Sequence, residues 1–273
     1  MNIQIDEQLA LLLARVDDLL ARADRGEVCY TAFLAPREQL DLREWLQRRG
    51  KCSTTRFWGG YAEAERRCLV LFPEYIAELC DPSAWDTQPI SVPLSYAGED
   101  DPICVLSIRG SGYRELTHRD YLGSLLSLGI EREVIGDIDV PDGNHALVFC
   151  RTSMADYIVA NLERIGNDKV KVEKTTVPPD FCGSRRRQPI SDTVASARLD
   201  CVVAALANLS RDTAQSAIRD GRVELNFREE LRVDRVVEPP CPISVRGIGK
   251  FNVLSIATQT KKGRWRLVGE KYV

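Results

Sequence analysis

The chain has 273 residues, 44% of them hydrophobic, and a formal net charge of −3, which is enough for a real core in roughly two domains of about 150 residues each. No apolar run approaches the ~20 residues of a membrane span, and the first residues lack the basic stretch of a signal peptide, so neither a membrane nor a secreted protein is expected and a cytoplasmic one is. Nine cysteines with no C-x-x-C spacing argue against a disulfide framework or a zinc site and for reduced, mostly buried thiols.

Leu9, Leu12, Leu13, Val16, Leu19, Leu20 and Ala23 recur at helical spacing, so residues 6–24 are predicted as an amphipathic helix with Asp6 as its cap. Residues 28–34 read as a strand. Pro36 opens a helix through Arg49, and Thr54–Trp58 and Cys68–Phe72 read as strands. Gly59-Gly60-Tyr61 is either a backbone anion nest or a plain join into a helix over Ala62–Arg66. These elements make an N-terminal α+β domain, residues 1–88. Pro82, Pro89 and Pro93 mark a linker.

Residues 89–176 read as strand Ile103–Arg109, helix Arg119–Leu128, strands Glu133–Val140 and His145–Cys150, helix Met154–Ile165 ended by Gly166, and strand Lys169–Glu173. This β-α-β-β-α-β order predicts a ferredoxin-like or RRM-like plait. Its third strand offers only Phe149 for stacking a base, so the plait either binds RNA without base stacking or serves as a platform. His118 and Arg119, at a helix start that Thr117 can cap, are a candidate secondary phosphate contact. Residues 177–190, with three prolines and three arginines, read as a second linker.

The third predicted domain, residues 185–273, differs in charge. Residues 1–90 hold 11 basic and 15 acidic side chains, residues 91–175 hold 9 and 14, and residues 176–273 hold 17 and 11. A basic module behind two acidic ones is the pattern of a polyanion-binding tail. Leu199, Val202, Val203 and Leu206 predict one short helix. Ser210 as cap and Gly221 as stop frame a second, with Ala214, Ala217 and Ile218 inward and Arg211, Gln215 and Arg219 outward. A strand follows over residues 222–226.

These residues resemble a known RNA-binding module. Arg198-Leu199-Asp200, Leu209-Ser210-Arg211, Ala214, Ile218, Gly221, Val223 and Asn226 are similar to the domain first seen in ribosomal protein S-four, which presents its two-helix face to structured RNA. Ile243-Ser244-Val245-Arg246-Gly247 and Gly249-Lys250-Phe251 follow. With Phe33, Pro36-Arg37-Glu38, Gly59-Gly60-Tyr61, Ala64-Glu65-Arg66, His118-Arg119-Asp120, Leu122-Gly123 and Ile135-Gly136-Asp137-Ile138, the chain resembles the bacterial YlmH (RqcP) family over most of its length. Two departures are expected to matter locally. Phe227 stands where the family has glycine, making a type I′ turn doubtful. Cys241-Pro242 replaces Gly-Asp, so the next strand is expected to start at Ile243.

The resemblance implies a non-catalytic binder, monomeric off the ribosome, which associates with the large ribosomal subunit, ribosomal RNA and tRNA during nascent-chain tailing on stalled subunits. The alternatives are an RNA-modifying enzyme of pseudouridine-synthase type or an interaction scaffold linked to cell division. Arg198-Leu199-Asp200 imitates the pseudouridine-synthase aspartate motif, but a helix interior follows, so Asp200 reads as structural. His118-Arg119-Asp120 lacks the asparagine of a kinase loop, and Gly247-x-Gly249-Lys250 lacks phosphate-loop spacing. No catalytic residue, metal ligand or cofactor is therefore expected. The expected RNA contacts are Arg198, Ser210, Arg211, Thr213, Gln215, Arg219, Arg222, Arg246, Lys250, Lys261, Lys262 and Arg264. The competing explanation for the helical arginines is a surface salt-bridge net with Asp212 and Asp220.

Overall fold

The computed structural model describes residues 3–77, 101–260 and 263–272. The expected boundary at 88/89 and the prolines of the first linker lie outside these residues. The chain divides into two compact units, Met1–Ser184 and Arg185–Val273.

The first unit opens with α1 (Ile3–Ala23), β1 (Cys29–Tyr30), α2 (Pro36–Arg48), β2 (Thr55–Trp58), β3 (Cys68–Leu71) and a single turn, α3 (Glu74–Ala77). Asp6 lies inside α1 rather than capping it. The three strands form an antiparallel sheet in the order β1-β3-β2. Val16 and Leu20 of α1 and Leu42 and Leu46 of α2 pack with Phe57, Leu69 and Leu71 on one face. Cys68 and Val70 point to the other, so all four residues of β3 are buried, which is why this strand is a continuous apolar run.

The plait forms with the expected connectivity: β4 (Ile103–Gly110), α4 (His118–Ser127), β5 (Ile135–Asp142), β6 (His145–Arg151), α5 (Thr152–Asn161), β7 (Arg164–Ile165) and β8 (Asp168–Thr175). The strand order is β5-β6-β4-β8-β7. The second plait helix stops at Asn161, four residues before the expected end. Ile165 instead pairs with Asp168 in a small hairpin around Gly166, whose φ is +57°. Tyr121, Leu125, Ala155 and Ile158 of the two helices fill a core against one face of the sheet.

The opposite face of the plait is covered as well. Ile103, Val105 and Phe149 share a core with Val28, Phe33, Trp58, Tyr61, Cys68 and Val70 from the N-terminal sheet and its loops. The Phe149 ring lies 4.8 Å from that of Tyr61 and 6.1 Å from that of Phe181. The residue that a base would stack on is therefore fully buried by the chain itself. Within this unit the plait acts as a platform at that face.

A buried carboxylate fastens the junction. Asp137 accepts from the Tyr61 hydroxyl at 2.7 Å, from the Glu65 amide at 2.7 Å and from the Arg66 amide at 3.0 Å. An anion nest thus forms a few residues beyond Gly59-Gly60, and the protein supplies its anion. Because these amides turn inward to Asp137, residues 62–66 form a turn rather than the expected helix. Gly59 and Gly60 are needed for close approach. A Cβ on Gly59 would stand 2.3 Å from that of Ala64, and one on Gly60 2.5 Å from the Phe149 ring. Arg66 donates to the carbonyls of Ile135 at 3.1 Å and Phe33 at 2.9 Å, and burial lowers its pKa. Arg151 reaches the Thr31 carbonyl at 2.8 Å.

The second unit contains β9 (Arg187–Val194), α6 (Leu199–Leu206), α7 (Arg211–Arg219), β10 (Val223–Leu225), β11 (Arg228–Glu229), β12 (Cys241–Val245), β13 (Gly249–Gln259) and β14 (Trp265–Tyr272). Its six-stranded sheet runs β11-β10-β12-β13-β14-β9. Residues 187–190, expected as linker, belong to β9, where Pro189 is tolerated because the strand is at the edge. Both helices pack on the sheet through Leu199, Val202, Val203, Leu206, Ala214, Ala217 and Ile218, and among the described residues every member of this core comes from the unit itself.

Two local expectations are overturned here. Asn226 and Phe227 stand at φ 53° and 61°, and Leu225 pairs with Arg228, so the two-residue turn forms despite the phenylalanine. A side chain in that region costs about 1–2 kcal/mol, which the surrounding strand pairs must offset. Strand β12 begins at Cys241, not Ile243. Pro242 has no N–H to donate, but its carbonyl accepts from the Asn226 amide at 3.0 Å and so joins the ladder.

Candidate RNA interface

Helix α7 starts as its residues dictate. The Ser210 hydroxyl accepts the Thr213 amide at 3.1 Å and lies 2.7 Å from the Thr213 hydroxyl, while Gly221 takes φ +67° just past the end. Ser210 and Thr213 are thus committed to the cap, and Arg211 stands in the first turn.

The organising group of this face is Asp200, which has 0% exposure. Its carboxylate accepts from Arg198 Nε at 3.1 Å, Arg211 Nε at 3.0 Å and Gln215 Nε2 at 2.8 Å, and from the Cys201 amide at 3.0 Å. Burial by itself would raise the pKa of Asp200. The hydrogen bonds from Arg198, Gln215 and Arg211 outweigh it and hold the group at about 2. The carboxylate is ionised at neutral pH, and it fixes two guanidinium groups and one amide around a single point. Arg198 and Arg211 remain 39% and 54% exposed, so both are anchored at one edge and open to solvent.

The competing salt-bridge explanation holds for one arginine: Arg222 pairs with Asp220 at 3.0 Å, while Arg211 pairs with buried Asp200 rather than with Asp212 or Asp220. Asp200 is structural, as its sequence context predicts, but the sequence did not identify it as the group that holds Arg198, Arg211 and Gln215. The available signal was a carboxylate on the apolar face of a short helix, where a charge persists only with partners.

The other expected contacts fall elsewhere. Arg222, Arg246 and Lys250 line one concavity of about 450 Å³ with Gly221, Ser244 and Gly247. Arg219 is exposed on α7. Arg264 donates to the Thr193 carbonyl at 2.6 Å, at the β13–β14 hairpin. Lys261 and Lys262 lie outside the described residues. In the first unit, His118 and Arg119 open α4, but Asp120 already sits at that helix end. It accepts from the Thr117 amide at 2.8 Å and the Thr117 hydroxyl at 2.7 Å, and pairs with Arg114 at 3.1 Å. A phosphate there would meet this carboxylate.

Among the described residues there is no group of three or more His, Cys, Asp or Glu that could hold a metal ion, and no helix long and apolar enough to cross a membrane. The cysteines described are thiols, with Cys29, Cys68, Cys150 and Cys241 buried and Cys52 and Cys182 exposed.

Fold and interface define a class: a mixed α/β protein in which a plait is joined to a smaller sheet, accompanied by a basic helix–hairpin module. Residues 99–178 match the family model described as "Putative RNA-binding domain in YlmH". The chain is 30% identical to ribosome-associated protein quality control protein P2 of Bacillus subtilis over 242 residues, 88% of this chain and 86% of that one. A solved structure, the cell division protein YlmH from Streptococcus pneumoniae, is 22% identical, with a TM-score of 0.43 over 64% of this chain and 93% of that one. The chain belongs to the YlmH family.

Proposed function

We propose that this protein is a non-catalytic RNA-binding factor of ribosome-associated quality control. It engages ribosomal RNA and tRNA on the large subunit while a stalled nascent chain is tailed, and it works in the cytoplasm. The observation that carries the reading is the convergence of Arg198, Arg211 and Gln215 on buried Asp200, which holds their outer edges toward solvent in a fixed geometry. Pre-oriented guanidinium groups at a helix N-terminus suit the phosphates of folded RNA, because the helix dipole and free amides there already favour an anion. The Bacillus subtilis relative, named as a ribosome-associated quality control protein, supports the ribosomal setting. The full chain is expected to co-sediment with large-subunit particles in a sucrose gradient. Sedimentation only at the top of the gradient, with stalled particles present, would sink this reading.

Arg211→Ala tests the contact itself. Each lost phosphate contact should flatten the log–log salt dependence of RNA binding by roughly 0.7–0.9. Since Arg211 is half-exposed but donates to buried Asp200, which keeps Arg198, Gln215 and the Cys201 amide, its loss should cost about 1–3 kcal/mol of stability without unfolding the unit. Arg211→Lys should recover only part of the affinity, because the ammonium cannot hold Asp200 and a phosphate with one rigid fork. An unchanged affinity and slope in Arg211→Ala would return the side chain to a structural role.

A binding factor also leaves ribosomal RNA chemically unaltered. Mass spectrometry of ribosomal RNA from a deletion strain is expected to show the full set of modified bases. A modification lost on deletion and restored by the purified protein would favour the enzyme alternative.

A further inference from the structure

We propose that the outer end of the β13–β14 hairpin is a base-stacking site, in which Trp265 takes an unpaired nucleotide next to the RNA held by the helical face. This site rests on the RNA-binding reading above and adds to it a contact with a base rather than with phosphate.

Trp265 is the first residue of β14 and stays 37% exposed. It pairs with Val194 at the end of β9. Val194 is buried in the core with the helices, so the indole lies on the helical side of the sheet. Opposite Trp265 the register of β13 shifts between Ala257 and Gln259, the kind of irregularity that re-aims a side chain where a ladder ends. The ring face sets this tryptophan apart. The Arg49 guanidinium lies 4.1 Å from the centroid of the Trp45 ring, and that of Arg56 lies 5.3 Å from the Trp58 centroid, so the chain's own cations already occupy both. Trp265 makes no ring contact with an aromatic group or a cation among the described residues.

The charge around the ring is one-sided. Residues 251–269 carry Lys261, Lys262, Arg264 and Arg266 and no acidic residue. The Arg264 guanidinium donates to the Thr193 carbonyl at 2.6 Å, a neutral partner that leaves its charge uncompensated. Arg266 is exposed and has no ion pair among the described residues. One carboxylate, Asp192, stands on the neighbouring strand opposite Leu267, where it accepts the Thr193 amide at 2.6 Å. From Val194 the chain runs on to Arg198, a stretch of at most about 14 Å. The arginines anchored on Asp200 and the Trp265 ring therefore come within the span of a few nucleotides. An open indole face beside uncompensated cations suits a nucleotide, because the ring stacks on any base while the cations track its phosphates. A base inside a duplex has its faces covered by its neighbours, so the ligand is an unpaired base at a loop, bulge or end.

The test uses the full chain with a blunt RNA duplex and the same duplex carrying unpaired extensions at both ends. Trp265→Leu should weaken binding of the extended RNA about tenfold and leave binding of the blunt one unchanged. Trp265→Phe, which keeps a ring, should recover most of the loss. Tryptophan fluorescence of the parent protein should be quenched by the extended RNA, and that quenching should vanish in Trp265→Phe, a change that altered packing alone would not produce. Arg211→Ala should weaken both RNAs alike. An unchanged affinity in Trp265→Leu, an equal loss for the two RNAs, or quenching that survives in Trp265→Phe overturns the stacking site and leaves the helical-face reading standing. A parent protein that binds neither RNA overturns the RNA-binding reading and the stacking site with it.

Discussion

Phe149→Ala is expected to lower the stability of the first unit by about 3–5 kcal/mol, the usual range for removing a fully buried aromatic ring. Phe149 has no exposed surface and fills the space between the plait sheet, Tyr61 and Phe181, with Gly60 backed directly against it. Little can collapse into the hole. The strands on either side are paired, and Gly60 has no side chain to extend. Denaturant unfolding of the full chain should show the loss in one transition. The transition of the second unit, whose core among the described residues is made of its own side chains, should stay in place. The variant also separates two uses of a plait. On a base-stacking sheet the same substitution would reduce RNA affinity with a small change in stability. A stability loss below about 1 kcal/mol together with weakened RNA binding would show that Phe149 is reached by RNA and that the burial seen here opens.

Asp200→Asn should cost the second unit about 2 kcal/mol at neutral pH, since hydrogen bonds to a charged acceptor are each worth more than neutral ones while the two arginines are partly screened by water. Asparagine keeps the volume but turns one acceptor into a donor facing the donors of Arg198, Arg211 and Gln215. The pH dependence identifies the cause. The folded-state pKa of about 2 lies below the ordinary 3.8. The carboxylate's contribution is therefore full above the ordinary value and disappears as pH falls through the folded one. The stability curves of parent and variant should run parallel above about pH 5 and converge between about 4 and 2. A gap that persists unchanged at pH 2 would assign the loss to packing. RNA affinity should fall with the same substitution, because three side chains lose the one group that aligns them.

The residues that carry the family resemblance turn out to do two different jobs. Phe33, Gly59, Gly60, Tyr61, Ala64, Glu65, Arg66, Gly136 and Asp137 meet at the junction within the first unit, where a Cβ on Gly136 would stand 2.6 Å from the Phe33 ring. They build that unit. Arg198, Asp200 and Arg211 meet at the helical face of the second unit. Local sequence separates these roles poorly, because a glycine next to a buried ring and a glycine next to a phosphate look the same in a linear chain.

Elements set by neighbours in sequence were determined by the sequence itself. The helix from Pro36, the plait order, the Ser210 cap with the Gly221 stop, and the inward Ala214, Ala217 and Ile218 all follow from periodicity and capping, which act within a turn or two. Contacts between residues far apart in the chain were decided only in three dimensions. Asp137 draws in amides 71 and 72 residues away and so unwinds an expected helix. Phe149 is hidden by a sheet that precedes it in the chain. Strand pairing on both sides carries Phe227 through a left-handed turn that its own preference opposes. Asp200, already read as structural from its sequence context, gathers partners 2, 11 and 15 residues away, and its burial makes it the anchor of a basic surface. In each case the deciding energy is the desolvation of a charge, a ring or a backbone group, and its size depends on what covers the group once the chain is folded.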